Sequence, residues 1–118
     1  RMALAKYRSG AYETALGGFE AFLDGDPRSD YRDNGLYWLG ECHFGLGRHQ
    51  KAIDYFQRIL DEEPNGNKVP DAMLKMALAY REIGRNDKAQ SLLEKVTQRY
   101  PGTNAGRLGE KKLSTFDF

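Results

Sequence analysis

The sequence predicts an all-α fold, in which three helical hairpins stack as a superhelical solenoid closed by a C-terminal capping helix. The first observation is a repeat: three marker residues recur at intervals of 37, as Ala15, Phe19 and Pro27, then Ala52, Phe56 and Pro64, then Ala89, Leu93 and Pro101. The second is that apolar residues follow one another at steps of three and four, while valine and isoleucine are scarce. The third is a glycine between the two helices of each repeat, at Gly10, Gly47 and Gly84. A fixed period of this length is typical of solenoids, whose usual role is to hold a partner.

Seven helices are predicted in order, at about 2–9, 12–24, 31–46, 49–62, 69–83, 87–99 and 104–114. They pair into hairpins over about 1–27, 31–64 and 69–101, within a single domain that spans 1–118. The seventh helix has no partner, and its one narrow apolar face suits a cap where stacking ends. Because Arg1 falls inside the first helix without a start signal, we expect a further segment upstream of it.

Composition excludes several functions. The 118 residues include 18 Lys and Arg against 17 Asp and Glu, so a net charge of +1 provides no strong field for nucleic acid or membrane phosphates. The apolar runs are too short for a transmembrane helix, and we expect no membrane insertion. The single cysteine, Cys42, cannot form an internal disulfide.

Three residues, Cys42, His43 and His49, invite a catalytic or metal-binding interpretation. Adjacent helical residues point about 100° apart, however, so Cys42 and His43 cannot share one ligand face. No phosphate-binding loop, nucleophile elbow or pair of metal-binding cysteines is found in the sequence. We therefore predict no catalytic residue, no metal and no cofactor, and a protein that is not an enzyme.

The repeat unit resembles the tetratricopeptide pattern, with leucine and histidine at two of its aromatic positions. The matching residues in the second repeat are Leu36, Leu39, Gly40, His43, Ala52, Phe56 and Pro64. The period departs from the pattern, since it is 37 residues instead of about 34. Three segments, 34–41, 68–75 and 100–105, are similar in order and separation to the C-terminal tetratricopeptide domain of the YbgF family of Tol-Pal system proteins, also called CpoB.

That resemblance implies a periplasmic protein of a Gram-negative bacterium, made with a signal peptide and an N-terminal coiled coil that forms homotrimers. It also implies binding to TolA, and a role in coordinating outer-membrane constriction with a peptidoglycan synthase during cell division. Without the coiled coil, a fragment of this kind is expected to be a monomer. The alternative is a tetratricopeptide scaffold of another line, such as an outer-membrane assembly lipoprotein or a secretion chaperone adaptor.

Tetratricopeptide stacks line a concave groove with the first helix of each hairpin, and the resemblance implies the same groove here. The face of the 31–46 helix opposite its packing stripe, together with the same face one repeat later, supplies the candidate groove residues. These are Asn34, Tyr37, Trp38, Glu41, Asp71, Leu74, Lys75, Leu78 and Arg81. Tyr37 and Trp38 are the expected anchors, because aromatic side chains give large contact area at low entropy cost. The alternative for Trp38 is burial beneath the preceding helix.

Overall fold

The structure is a computed structural model that describes residues 10–18, 20–21 and 32–116, and all regular structure in these residues is α-helical. The helices are α1 (10–18 and 20–21), α2 (Arg32–Gly45), α3 (His49–Glu62), α4 (Val69–Glu82), α5 (Asn86–Arg99) and α6 (Asn104–Thr115). The all-α prediction is confirmed, and the bounds of α2 to α6 agree with the predicted ones to within one residue. The predicted helix at about 2–9 lies outside the described residues.

The helices pack in the order of a stacked array. Helix α2 packs on α3, and α4 packs on α5, so each pair forms an antiparallel hairpin. Consecutive hairpins meet through α3 and α4, and α6 packs on both α4 and α5. An ion pair also links the ends of one hairpin, since Arg32 Nε donates to Glu62 Oε1 at 2.7 Å. The core therefore runs through the stack and is shared between neighbouring hairpins.

Glycine ends the first helix of both described hairpins. Gly47 and Gly84 have φ values of 78° and 83°, in the left-handed region that side chains with a Cβ disfavour. Beyond each glycine the chain turns back on the helix, because the N–H of Arg48 donates to the carbonyl of His43 and that of Arg85 donates to Tyr80, both at 2.8 Å. This closure satisfies the last carbonyls of the helix and directs the chain into the second helix.

A small residue and a large one fill the space within each hairpin. In α2, Gly40 lies so close to Phe56 of α3 that a Cβ at position 40 would come within 2.5 Å of the aromatic ring. One repeat later, the corresponding residues are Ala77 and Leu93, and both are buried. The second hairpin thus combines glycine with phenylalanine, and the third combines alanine with leucine.

Helix α6 ends the described stack. The hydroxyl of Thr103 accepts the N–H of Gly106 at 3.0 Å and donates to the carbonyl of Tyr100 at 2.7 Å, which fixes where the helix begins. Gly109 lies against Val96 of α5, where an added Cβ would come within 2.7 Å. The opposite face of α6 is exposed and includes Leu108.

Candidate partner-binding groove

The groove is formed where side chains of α2 meet those of α4. Lys75 Nζ lies 3.4 Å from Glu41 Oε1, which pairs the two helices. Lys68, at the start of α4, places its ammonium 4.9 Å from the centre of the Tyr37 ring. Electrostatic effects of Glu41 and Asp71 also reach the Tyr37 hydroxyl. The structure thus brings five of the predicted site residues together: Tyr37, Trp38, Glu41, Asp71 and Lys75.

Trp38 is the exposed aromatic residue of this group. Its side chain is 47% exposed, so the burial considered from the sequence is not observed. The indole meets the Tyr37 ring edge to face, with 5.5 Å between ring centres and 80° between planes. Such a contact restricts the indole before any partner arrives, while nearly half of the residue's surface remains exposed.

Tyr37 lies beneath Trp38 and has little free surface. It is only 9% exposed, and its ring lies 5.7 Å from that of Phe56 in the core. Burial first, and then the nearby Glu41 and Asp71, raise the pKa of the Tyr37 hydroxyl above its ordinary value. Tyr37 therefore remains a neutral phenol that supports Trp38.

The other predicted groove residues are more dispersed. Leu74 is 5% exposed and belongs to the core, while Leu78 and Asn34 are half-buried. The backbone N–H of Asn34 donates to Asp33 Oδ1 at 2.8 Å, in the first turn of α2. Arg81 is exposed in the last turn of α4, where its guanidinium stacks 3.9 Å from the centre of the Phe116 ring.

Three residues at this surface were not predicted from the sequence: Phe44, Lys68 and Phe116. Phe44 lies 5.9 Å from the Lys75 ammonium, and it could have been found because it precedes Arg81 by the repeat interval of 37 residues. Lys68 lies outside the helical pattern, and Phe116 follows the last helix and has no counterpart in the repeat. Neither position had a signal in the sequence.

The surroundings of Cys42 and His43 oppose the charged forms of both side chains. Burial, followed by the charge of Glu41, raises the pKa of the Cys42 thiol, which opposes formation of a thiolate. His43 is 4% exposed and its ring is stacked on Tyr55, with 5.3 Å between centres. Burial and the cations Arg48 and Lys51 lower the pKa of the His43 imidazole.

Neither a metal-binding cluster nor a membrane-spanning helix is found in the part of the chain that the structure describes. Among residues 10–18, 20–21 and 32–116, no group of three or more histidine, cysteine or acidic side chains is placed to hold a metal ion. None of the helices in the described part of the chain has the length and apolar character needed to cross a membrane. The surface formed by α2 and α4 combines one exposed indole, a neutral phenol and paired charges.

Comparison with known proteins agrees with this architecture. No curated protein matches the chain. The family model described as the tetratricopeptide repeat matches residues 31–102, which is more than half of the 118 residues and includes α2 to α5. Repeats of this kind are generally non-catalytic and bind proteins. With its stacked hairpins, glycine turns and matched small and large core residues, the chain belongs to the tetratricopeptide repeat family.

Proposed function

We propose that this chain is the partner-binding domain of a YbgF (CpoB) protein of the Tol-Pal system, and that it binds TolA in the groove between α2 and α4. Membership of the tetratricopeptide family supports the general part of this proposal, a module for protein–protein interaction. The specific part depends on the similarity of segments 34–41, 68–75 and 100–105 to that family. It includes a periplasmic location and a role in coordinating outer-membrane constriction with a peptidoglycan synthase during division.

The observation that carries the binding proposal is the exposed indole of Trp38, held edge to face on Tyr37. An exposed tryptophan offers a large, rigid ring with an apolar body and a polar N–H, which is why this residue is enriched at interfaces. Interface hot spots are enriched in tryptophan, tyrosine and arginine. The ion pair between Lys75 and Glu41 neutralises charge beside the indole, so an apolar segment of a partner could approach it.

The polar residues around Trp38 favour a partner segment with both apolar and polar groups. Asp71 and Asn34 are half-buried, so they could accept or donate hydrogen bonds at the edge of the contact. Leu78 adds partly exposed aliphatic surface on α4. A helix or an extended strand of TolA would satisfy these requirements, with one apolar side chain resting on the indole.

The test is calorimetric titration of the chain with the periplasmic part of TolA. Trp38→Ala should weaken binding by about 30-fold, the effect of losing a hot spot of about 2 kcal/mol. Leu108→Ala is the matched control, because Leu108 is a comparably exposed apolar residue (44%) on α6. Circular dichroism should show that both variants keep their helicity.

Three outcomes can be distinguished. If Trp38→Ala weakens TolA binding and Leu108→Ala does not, the result supports the groove as the binding site. If both variants bind TolA as the parent does, the binding site lies on another face of the chain. If the parent does not bind TolA at all, the chain is better explained as a tetratricopeptide scaffold of another line.

A further inference from the structure

The segment after α6 returns to the end of α4. Phe116 has an extended backbone (φ −77°, ψ 141°), and its N–H donates to the carbonyl of Lys112 at 2.8 Å. The guanidinium of Arg81 lies 3.9 Å from the centre of its ring, and Lys112 Nζ lies 5.4 Å from the same centre. One aromatic ring therefore contacts two cations, one from α4 and one from α6.

These two cations differ from the ion-paired cations in the described part of the chain. Five of the described Arg and Lys side chains form ion pairs with acidic residues: Arg32, Arg48, Arg58, Lys75 and Arg85. Within residues 10–18, 20–21 and 32–116, neither Arg81 nor Lys112 makes an ion pair, and both contact the Phe116 ring. The electron-rich face of an aromatic ring attracts cations, but it does not neutralise their charge.

Arg81 also belongs to the candidate groove. It occupies the position that Phe44 has in the preceding repeat, and Phe44 lies 5.9 Å from the ammonium of Lys75. The Phe116 ring, half-buried, thus covers one end of the surface that α4 contributes to the groove.

We propose that Arg81 and Lys112 form a subsite for an aromatic residue of an extended, acidic protein segment, and that Phe116 closes this subsite in cis. Phe116 shows which side chain and which backbone conformation fit. The two positive charges favour acidic residues beside the aromatic one. This inference rests on the proposed function, namely that the groove binds protein segments, and it names the chemistry of the segment at one end of the groove.

The contact of Phe116 with the two cations lowers the apparent affinity of the subsite for a segment of a partner. A tethered side chain acts at an effective concentration on the order of millimolar, so an incoming segment must displace Phe116. The apparent affinity for that segment is reduced by the fraction of molecules in which the subsite is open. Removing the Phe116 ring should therefore tighten binding of a suitable segment.

The experiment uses the whole chain and follows the Arg81 Nε–H resonance by NMR. The probe is an acetylated pentapeptide with the sequence of residues 114–118, Ser-Thr-Phe-Asp-Phe. In the parent, the ring should shift the Arg81 Nε–H resonance, and Phe116→Leu should abolish that shift while retaining apolar packing. Adding millimolar peptide to Phe116→Leu should restore the shift, with an apparent Kd at least about fivefold lower than in the parent.

Two controls define the chemistry of the subsite. A peptide with both phenylalanines replaced by leucine should not restore the shift. Adding Lys112→Gln to Phe116→Leu keeps the Arg81 reporter and should weaken peptide binding by about threefold or more, as expected for loss of a cation–π contact. The proposal is overturned if millimolar peptide leaves the Phe116→Leu spectrum unchanged, if parent and variant bind it equally, or if the leucine peptide binds as well.

Failure of this proposal and failure of the proposed function give different results. The pentapeptide contains no TolA sequence, so a chain that binds TolA but not the peptide refutes the aromatic subsite alone. A chain that binds the peptide but not TolA refutes the Tol-Pal assignment alone.

Discussion

Because Gly40 lies close to Phe56, we predict that Gly40→Ala destabilises the parent but stabilises a variant in which Phe56 is replaced by leucine. Gly40→Ala would place a methyl group 2.5 to 2.9 Å from three carbons of the Phe56 ring, which is closer than van der Waals contact allows. The ring is fully buried and also packs against Tyr37, so it cannot easily shift. The third repeat has Ala77 and Leu93 at these positions, which is the combination expected to relieve the clash.

Two opposing effects decide how much Gly40→Ala changes the free energy of unfolding. Alanine stabilises a helix interior by about 1 kcal/mol relative to glycine. Forcing a methyl group into a packed core costs about 1–3 kcal/mol. We therefore expect Gly40→Ala to destabilise the parent by about 1 kcal/mol, but to stabilise a Phe56→Leu variant by about 0.5–1 kcal/mol, because leucine leaves room for the methyl group. The coupling between the two positions should therefore be about 1.5–2 kcal/mol.

Urea unfolding monitored by circular dichroism measures the four free energies of unfolding in this cycle. Gly17→Ala is the matched control, because Gly17 is helical and exposed, and nothing lies within 4 Å of where its Cβ would be. That change should stabilise the chain by up to about 1 kcal/mol through helix propensity alone. The reasoning is refuted if Gly40→Ala stabilises the parent as Gly17→Ala does, or if it has the same effect in the parent and in the Phe56→Leu variant.

Three further predictions concern charge and pH. Arg32→Ala should lower the free energy of unfolding by about 0.5–1 kcal/mol in low salt, and by less in 1 M salt, because the ion pair with Glu62 is partly exposed. The hydrogen bond from Arg32 lowers the pKa of Glu62, so the contribution of the ion pair should disappear as the pH falls below about 4.5. The pKa of the His43 imidazole is lower in the folded chain, so on acidification the unfolded chain takes up this proton before the folded chain does, and the free energy of unfolding should fall as the pH drops below about 6.5. His43→Tyr, which introduces the residue type found at Tyr80, should remove this dependence in unfolding curves measured at a series of pH values. In a spectrophotometric titration, Tyr37→Phe should remove a phenol that ionises above the ordinary value of 10.0, and loss of an early-ionising phenol instead would contradict the burial argument.

The sequence was sufficient for the helices but only partly sufficient for the groove. Repetition predicts the order of α2 to α5, because the same small and large residues recur where helices touch. A helical wheel separates the face toward the partner helix from the opposite face, but it does not include the next hairpin. The wheel places Leu74 and Tyr37 on the groove side, yet neighbouring side chains cover both residues. Phe116 follows α6, where no residue of the repeat corresponds to it.

The two combinations of core residues have a consequence for how such a protein can change by recombination. Joining α4 to α3 would oppose Ala77 with Phe56, an overfilled pairing, whereas joining α2 to α5 would oppose Gly40 with Leu93 and leave a void. A crossover within a hairpin would therefore be penalised, while one between hairpins would keep each matched pair intact. The hairpin, more than the single helix, is the unit that can be duplicated, lost or exchanged among proteins of this architecture.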